Sequence, residues 1–262
     1  MFAGVDIGAT TTKIAVETGS GLRYCKVSTD YASLSVLCKQ HTLGVEKIAC
    51  AVPAPVARNT IQSAAPNLTT LPAIPPGVPL LNDGNAAALG EFHERCLDRN
   101  HSLFMLSVGT GLGGGYIYNG QVMEGASGFF AEIGHFSFAP DGFACGCGAR
   151  GCSEQYASSR FLCCYGVGEE GLYASAHSQV RKEIVSHLAR VINSVINLYD
   201  PHLIVIGGGL GLAMERCLSD IVSQIKPMAF HHRPLPPIEI SRLGEYAAAH
   251  GLIHYARQQS IL

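Results

Sequence analysis

His135, Cys145, Cys147 and Cys152 put one imidazole and three thiols into a short stretch, with Glu132 ahead of it and Glu154 behind it. A histidine with three thiolates is a ligand set of a closed tetrahedral zinc site. Within the Cys-x-Cys-x4-Cys spacing, glycine stands at 146, 148 and 151, which permits the tight turns that wrap sulfurs around one ion. Asp141 offers an oxygen as a substitute ligand. Four protein ligands leave no position for a reacting group, so such a metal braces a polar pocket rather than polarising a substrate.

A second set of residues lies at the ends of apolar runs. Asp6 closes the first run, where a carboxylate must be solvated, paired or near a cation; Mg²⁺, reached directly or through water, fits that position. Three glycine turns follow apolar runs: Asp6-Ile7-Gly8-Ala9-Thr10, Gly109-Thr110-Gly111-Leu112-Gly113-Gly114-Gly115 and Gly207-Gly208-Gly209. Glycine lets backbone amides approach phosphate oxygens, and threonine adds a hydroxyl donor. The first turn matches neither the Walker-A nor the Rossmann glycine pattern. Asp83 stands between an apolar run and a helical one, as a general base would in phosphoryl transfer to an alcohol. The alternative is that Asp83 only caps the helix opening at Asn85.

The elements that must hold these groups read as strand and helix in alternation. Apolar runs at 2–6, 13–16 and 23–27 predict a hairpin and a third strand; a helix is expected over 31–40, and a buried strand at 47–52 that Pro53 and Pro55 end. A proline-rich connection over 66–79 leads to a strand at 79–82 and a helix at 85–96. Strands at 103–108 and 113–118 repeat the opening arrangement, the pattern of an internal duplication. Helices over 153–164 and 179–199, strands at 202–206 and 238–240 and a helix over 244–258 complete an α/β protein of two lobes. The expected lobes are 1–103, joined by 244–262, and 104–243.

The 262 residues, 47% of them hydrophobic, suffice for cores in both lobes. With 18 basic and 20 acidic side chains and no basic block, nucleic-acid binding is disfavoured. No apolar run reaches the roughly 20 residues of a membrane helix, and the amino terminus lacks a secretory pattern, so the expected location is cytoplasmic. The remaining cysteines are scattered and read as free thiols.

Together these motifs resemble the ROK family of sugar kinases, repressors and uncharacterised open reading frames. The resemblance rests on Asp6-Ile7-Gly8-x-Thr10, on Asn82-Asp83-Gly84-Asn85-Ala86-Ala87-Ala88-Leu89-Gly90-Glu91, on the 109–115 glycine turn, on Glu132-Ile133-Gly134-His135 and on Cys145-Gly-Cys-Gly-x-x-Gly-Cys-x-Glu154. Ala9 replaces a usual glycine, Pro53-Ala54-Pro55 a usual Pro-Gly-Pro, and Phe130-Ala131 a usual Ala-Gly. The Phe130 change would narrow the sugar pocket.

The resemblance implies a duplicated ribonuclease-H-like (actin-like ATPase) fold in which sugar and ATP meet between lobes. It implies Asp83 as the base and sugar contacts from Asn82, Glu132, His135 and Glu154, with Asn67 placed among them; zinc takes His135 and the three cysteines. ATP is expected along Asp6, Gly8, Ala9, Thr10, Thr11 and Lys13, along Thr110, Gly111, Gly113 and Gly114, and at Gly207 and Gly208 near the adenosine. The expected reaction moves the γ-phosphoryl of Mg-ATP to a hexose, at the C6 hydroxyl, with glucose the default. An N-acetylmannosamine or N-acetylglucosamine kinase is the nearer alternative, and a sugar-binding regulator without catalysis the alternative of another class. Family repressors carry an N-terminal DNA-binding segment, whereas the first glycine turn here begins at residue 6. Shortened connections leave a homodimer open.

Overall fold

The computed structural model describes residues 1–29, 42, 44–63, 72 and 74–260. The expected helix over 31–40 and Asn67 lie outside them. In chain order the described strands are β1 (Phe2–Ile7), β2 (Thr11–Thr18), β3 (Gly21–Ser28), β4 (Lys47–Val52), β5 (Val56–Ala57), β6 (Thr60–Ile61), β7 (Leu80–Asn82), β8 (Leu103–Val108), β9 (Leu112–Tyr118), β10 (Gln121–Val122), β11 (Leu203–Gly207) and β12 (Ile238–Ile240). The α-helices are α1 (Asp83–Glu94), α2 (Ser159–Cys163), α3 (Ser178–Tyr199), α4 (Gly209–Ala213), α5 (Leu218–Ile225) and α6 (Ala247–Gln258). The chain divides into two units, one of Met1–Asn100, Gly115–Phe130 and Glu245–Leu262, the other of His101–Gly114 and Ala131–Gly244.

Each half of the chain contributes a five-stranded mixed sheet, and the two follow the same plan: β3-β2-β1-β4-β7 and β10-β9-β8-β11-β12. In the first, β1 pairs antiparallel with β2 and parallel with β4, which pairs parallel with β7. Register then matters for chemistry. Asp6 lies beside Ala51 and Val52 beside Asn82, so Asp6 and Asp83 emerge at the carboxyl edge of one set of parallel strands. In the second sheet Gly207 lies beside Ser107, which brings the glycine turns after β8 and β11 out at one edge. Ligands of open α/β sheets collect at such edges.

The first unit keeps Val5, Ile7, Ile14, Val16, Val52 and Leu80 on one buried face, and packs α6 through Ala249 and Ile253 on another. Helix α1 is buried from Gly84 through Phe92, including Glu91, which pairs with Arg95 one turn on. It meets α6 backbone to backbone. A methyl group on Gly251 would overlap the Ala86 carbonyl and crowd the Gly90 amide, and one on Gly90 would overlap the Ala247 carbonyl. In the second unit α3 buries Ile184, Leu188, Val191, Ile192 and Val195.

Two expectations are corrected. The helix expected over 153–164 is a 3-10 turn, Ser153–Gln155, followed by α2. Ser158 interrupts it: its backbone is extended, its hydroxyl donates to the Glu154 carbonyl and accepts from the Arg160 amide, the competition that makes serine a helix boundary. The last helix likewise opens with a 3-10 turn at Gly244–Tyr246. The hairpin of β5 and β6, the strand β10 and the helices α4 and α5 had no expectation; the hairpin is too short for periodicity, and turns at Arg58 and Asn59 with φ 51° and 60°.

A stack of three histidines also joins α1 to α6. The His93 and His254 rings lie parallel at 3.9 Å, His250 is 5.3 Å from His254, and the Tyr24 hydroxyl meets His250 Nδ1 at 2.8 Å. Burial pushes all three imidazoles down, and His254, with His93 and His250 beside it, falls to about 3 from an ordinary 6.5. Below pH 6.5 the unfolded chain takes up protons that the folded chain refuses, so stability declines as pH falls through that range towards about 3. Denaturation midpoints measured across it should drop with acid, and His254→Phe should flatten the drop. Gly251→Ala should cost about 1–3 kcal/mol in urea unfolding by overpacking the helix crossing.

Candidate active site

Asp83 is the first residue of α1, and the residue before it is the cap. Asn82 Oδ1 accepts the Asn85 amide at 3.1 Å, and its Nδ2 donates to the Ala54 carbonyl at 3.2 Å. Such a cap contributes about 1 kcal/mol. Capping is therefore the work of Asn82, and the reading of Asp83 as a mere cap is corrected. Asp83 accepts its neighbouring Gly84 amide at 2.8 Å and is partly exposed. One amide hydrogen of Asn82 is left for a ligand.

The first glycine turn is closed by Gly8 N–H to Thr11 O at 3.1 Å. Thr29, which the sequence gave no reason to single out, braces it: its hydroxyl donates to the Gly8 carbonyl at 2.8 Å and its amide to the Thr10 carbonyl at 2.9 Å. Ala9 and Thr10 are exposed at the tip. Behind them Asp6 is buried with Lys13 Nζ 3.5 Å away; burial raises its carboxyl, and the Lys13 charge opposes the rise.

In the second unit Glu132, His135 and Glu154 are brought together by Ser153, another residue without a sequence signal. Its hydroxyl donates to the Ile133 carbonyl and its amide to the Phe136 carbonyl. Burial raises the Glu132 carboxyl, His135 draws it down and Glu154 pushes it up again. Glu154 Oε2 accepts the Leu112 amide at 3.2 Å beside Gly111, while Arg160 Nε stands 3.3 Å from Oε1. Thr110 is exposed on this second turn, which Gly109 N–H to Gly111 O closes at 2.9 Å; Gly113 and Gly114 follow in β9. Gly207 ends β11, and Gly208, at φ 81°, turns the chain into α4 in a conformation open to glycine.

The donor atoms of His135, Cys145, Cys147 and Cys152 all lie within 4.8 Å of one another, and Asp141 is outside the group. Cys147 and Cys152 sulfurs are 3.6 Å apart, and Cys145 sulfur is 3.7 Å from His135 Nδ1. Bonds of about 2.3 Å to a tetrahedral zinc set sulfurs about 3.8 Å apart, so these edges fit; a disulfide would need about 2.05 Å. Backbone turns hold the ring: Cys145 N–H to Ala149 O at 2.9 Å, Gly148 N–H to Cys145 O at 3.0 Å. Burial and the neighbouring sulfurs push the Cys152 thiol up to about 12, a crowding that a divalent cation relieves. Residues and spacing thus suit a zinc site.

Comparison with known proteins agrees with this geometry. The ROK family model matches residues 39–259. The glucokinase of Streptomyces coelicolor is 31% identical over 216 residues, 70% of this chain and 68% of that enzyme. The N-acetylmannosamine kinase of Citrobacter koseri is 35% identical over 159 residues, 56% of this chain and 53% of that enzyme. A ROK family glucokinase from Streptomyces griseus, solved with glucose and AMPPNP, superposes with a TM-score of 0.81 at 26% identity, covering 98% of this chain and 99% of that one. The fold is thus that of the actin-like ATPases, two mixed α/β lobes with five-stranded sheets, carrying a sugar-kinase site. The chain belongs to the ROK family, among its ATP-binding sugar kinases of the hexokinase and glucokinase type.

No helix among the described residues is long and apolar enough to cross a membrane. Metal analysis of the purified protein should find about one zinc per chain. Cys147→Ser should lose it and lower the unfolding temperature; retained zinc would mean that the ligands lie elsewhere.

Proposed function

We propose that this chain transfers the γ-phosphoryl of Mg-ATP to the C6 hydroxyl of a hexose, glucose by default. The observation that carries the reading is Asp83, a carboxylate fixed at the start of α1 by the Asn82 cap and left partly exposed at the carboxyl edge of a parallel sheet. In the mechanism Asp83 accepts the proton of the C6 hydroxyl as that oxygen attacks phosphorus. Glu132, His135, Glu154 and Asn82 hold the other hydroxyls, joined by Asn67. His135 turns Nδ1 to the thiols, which leaves Nε2 for the sugar. Glu154 keeps a lone pair for a hydroxyl beyond its contacts with Leu112, Gln155 and Arg160.

The nucleotide lies along Asp6, Gly8, Ala9, Thr10, Thr11 and Lys13, along Thr110, Gly111, Gly113 and Gly114, and against Gly207 and Gly208. Asp6 holds the Mg²⁺ that comes with ATP, directly or through water, and that ion supplies charge neutralisation at the phosphates. Zinc, when bound by His135, Cys145, Cys147 and Cys152, keeps the sugar wall in shape.

Similarity to an N-acetylmannosamine kinase supports an N-acetylhexosamine as the second reading. Coupled ATP turnover against glucose, mannose, fructose, allose, N-acetylglucosamine and N-acetylmannosamine names the acceptor. Turnover with none of them, by zinc-loaded protein that still binds sugar, would leave the regulator reading standing instead. Asp83→Asn should lower turnover by about 10²–10⁴-fold with sugar binding kept; turnover at the wild-type rate would assign the base to another group.

A further inference from the structure

We propose that Cys147 is an oxidation site through which hydrogen peroxide controls the zinc cluster: its sulfur is oxidised first and then joins Cys152 in a disulfide that opens the ligand set. The inference rests on the zinc reading of the cluster and adds regulation to it.

The donors are unequally placed. Cys145 and Cys152 are buried, at 8% and 1% exposure, whereas Cys147 is exposed. Cys147 rides near the tip of a small hairpin whose arms are joined by the bridge between Ala144 and Arg150 and by Cys145 N–H to Ala149 O at 2.9 Å. The tip is open: Gly148 stands at φ 94°, and a methyl group built on it would meet nothing within 4 Å. The arm that leads to Cys152 is closed. A methyl group on Gly151 would overlap the Ala139 carbonyl, and Gly151 donates its amide to Phe143 O at 2.7 Å and accepts the Phe138 amide at 2.8 Å. A small oxidant therefore reaches the Cys147 sulfur first, with the Cys152 sulfur held 3.6 Å from it. Cys145 is the poorer partner, because only Gly146 separates it from Cys147, a spacing that strains a disulfide, and its sulfur lies 3.7 Å from His135 Nδ1.

In the first step the Cys147 thiolate attacks one peroxide oxygen and the O–O bond breaks. Hydroxide leaves, takes up a proton as water, and Cys147 becomes the sulfenic acid. The Cys152 sulfur then attacks the Cys147 sulfur and displaces a second hydroxide, which also leaves as water. Two thiolates, one hydrogen peroxide and two protons thus give one disulfide and two waters. His135 and Cys145 remain, too few ligands for a closed tetrahedral site. Ser153, whose bonds to the Ile133 and Phe136 carbonyls hold the wall, and Glu154 follow Cys152 directly, so the same event loosens the proposed sugar contacts.

Hydrogen peroxide added to the zinc-loaded full chain tests the assignment without turnover, with zinc followed by a colorimetric chelator and disulfides by peptide mass spectrometry. About one zinc per chain should be released as a linkage of Cys147 to Cys152 appears, about 2 Da lighter than the two thiols, and dithiothreitol with added zinc should restore the starting state. The triple variant Cys96→Ser, Cys163→Ser, Cys164→Ser removes exposed thiols outside the cluster and should release zinc as the wild type does. Zinc retained while those three thiols are oxidised, a linkage between another pair, or a triple variant that keeps its zinc would overturn the oxidation site. Protein that carries no zinc before oxidation would overturn the zinc reading as well. Calorimetry with glucose, N-acetylglucosamine and N-acetylmannosamine then reads the wall, and affinity should fall about tenfold on oxidation and return on reduction. Unchanged affinity would overturn the link to the sugar wall, whereas reduced protein that binds none of the three would count against the kinase reading and leave the oxidation site standing.

Discussion

Where α1 crosses α6 the two helices meet backbone to backbone, with Gly90 and Gly251 in the crossing and the Ala86 and Ala247 carbonyls against them. The separation of the two helices is therefore set by the radii of a carbonyl oxygen and an α-carbon, which no rotamer can adjust. Asp83 sits one turn from that crossing, and its position follows from it. The Asn82 cap fixes the entry of the chain into the helix, and the parallel pairing of Val52 with Asn82 fixes the strand before it. A reacting carboxylate needs this kind of support, because small displacements of a base from its proton are costly in rate.

The second unit solves a different problem, since 3-10 turns and tight loops have few buried side chains to order them. Hydrogen bonds around Ser153 and the four-donor cluster take over that work. Ser153 ties the stretch after Cys152 to the stretch around His135, so Glu132, His135 and Glu154 share one wall although they come from separate turns. The metal ligands then stand on both sides of the joint. Metal and hydrogen bonds thus do for this wall what packing does for α1.

Residues of restricted chemistry were legible in the sequence. Cysteines at close spacing, glycines after apolar runs and acids at strand ends have few structural reasons to be where they are, and the alternation of runs marked every strand of the two sheets except the two-residue β10. Thr29, Ser153 and Arg160 were not legible, because threonine, serine and arginine occur everywhere and acquire meaning from partners remote in sequence or from register. The broken helix at 153–163 was misread for a related reason. Its apolar spacing is helical, but the Ser158 hydroxyl competes for the backbone, and periodicity does not register that. The double duty of Asn82, cap and ligand to the Ala54 carbonyl, likewise shows only once β7 is paired.

The placement of α6 bears on the order in which the chain is completed during synthesis. The first unit takes β1 to β4 from the earliest part of the chain, yet its α1 cannot be covered until Ala247–Gln258 has emerged. By then residues 131–244, the bulk of the other unit, have already left the ribosome. The unit that is begun first is therefore finished last, and meanwhile an alanine-rich helix waits with its glycine face bare, a surface for chaperones to shelter.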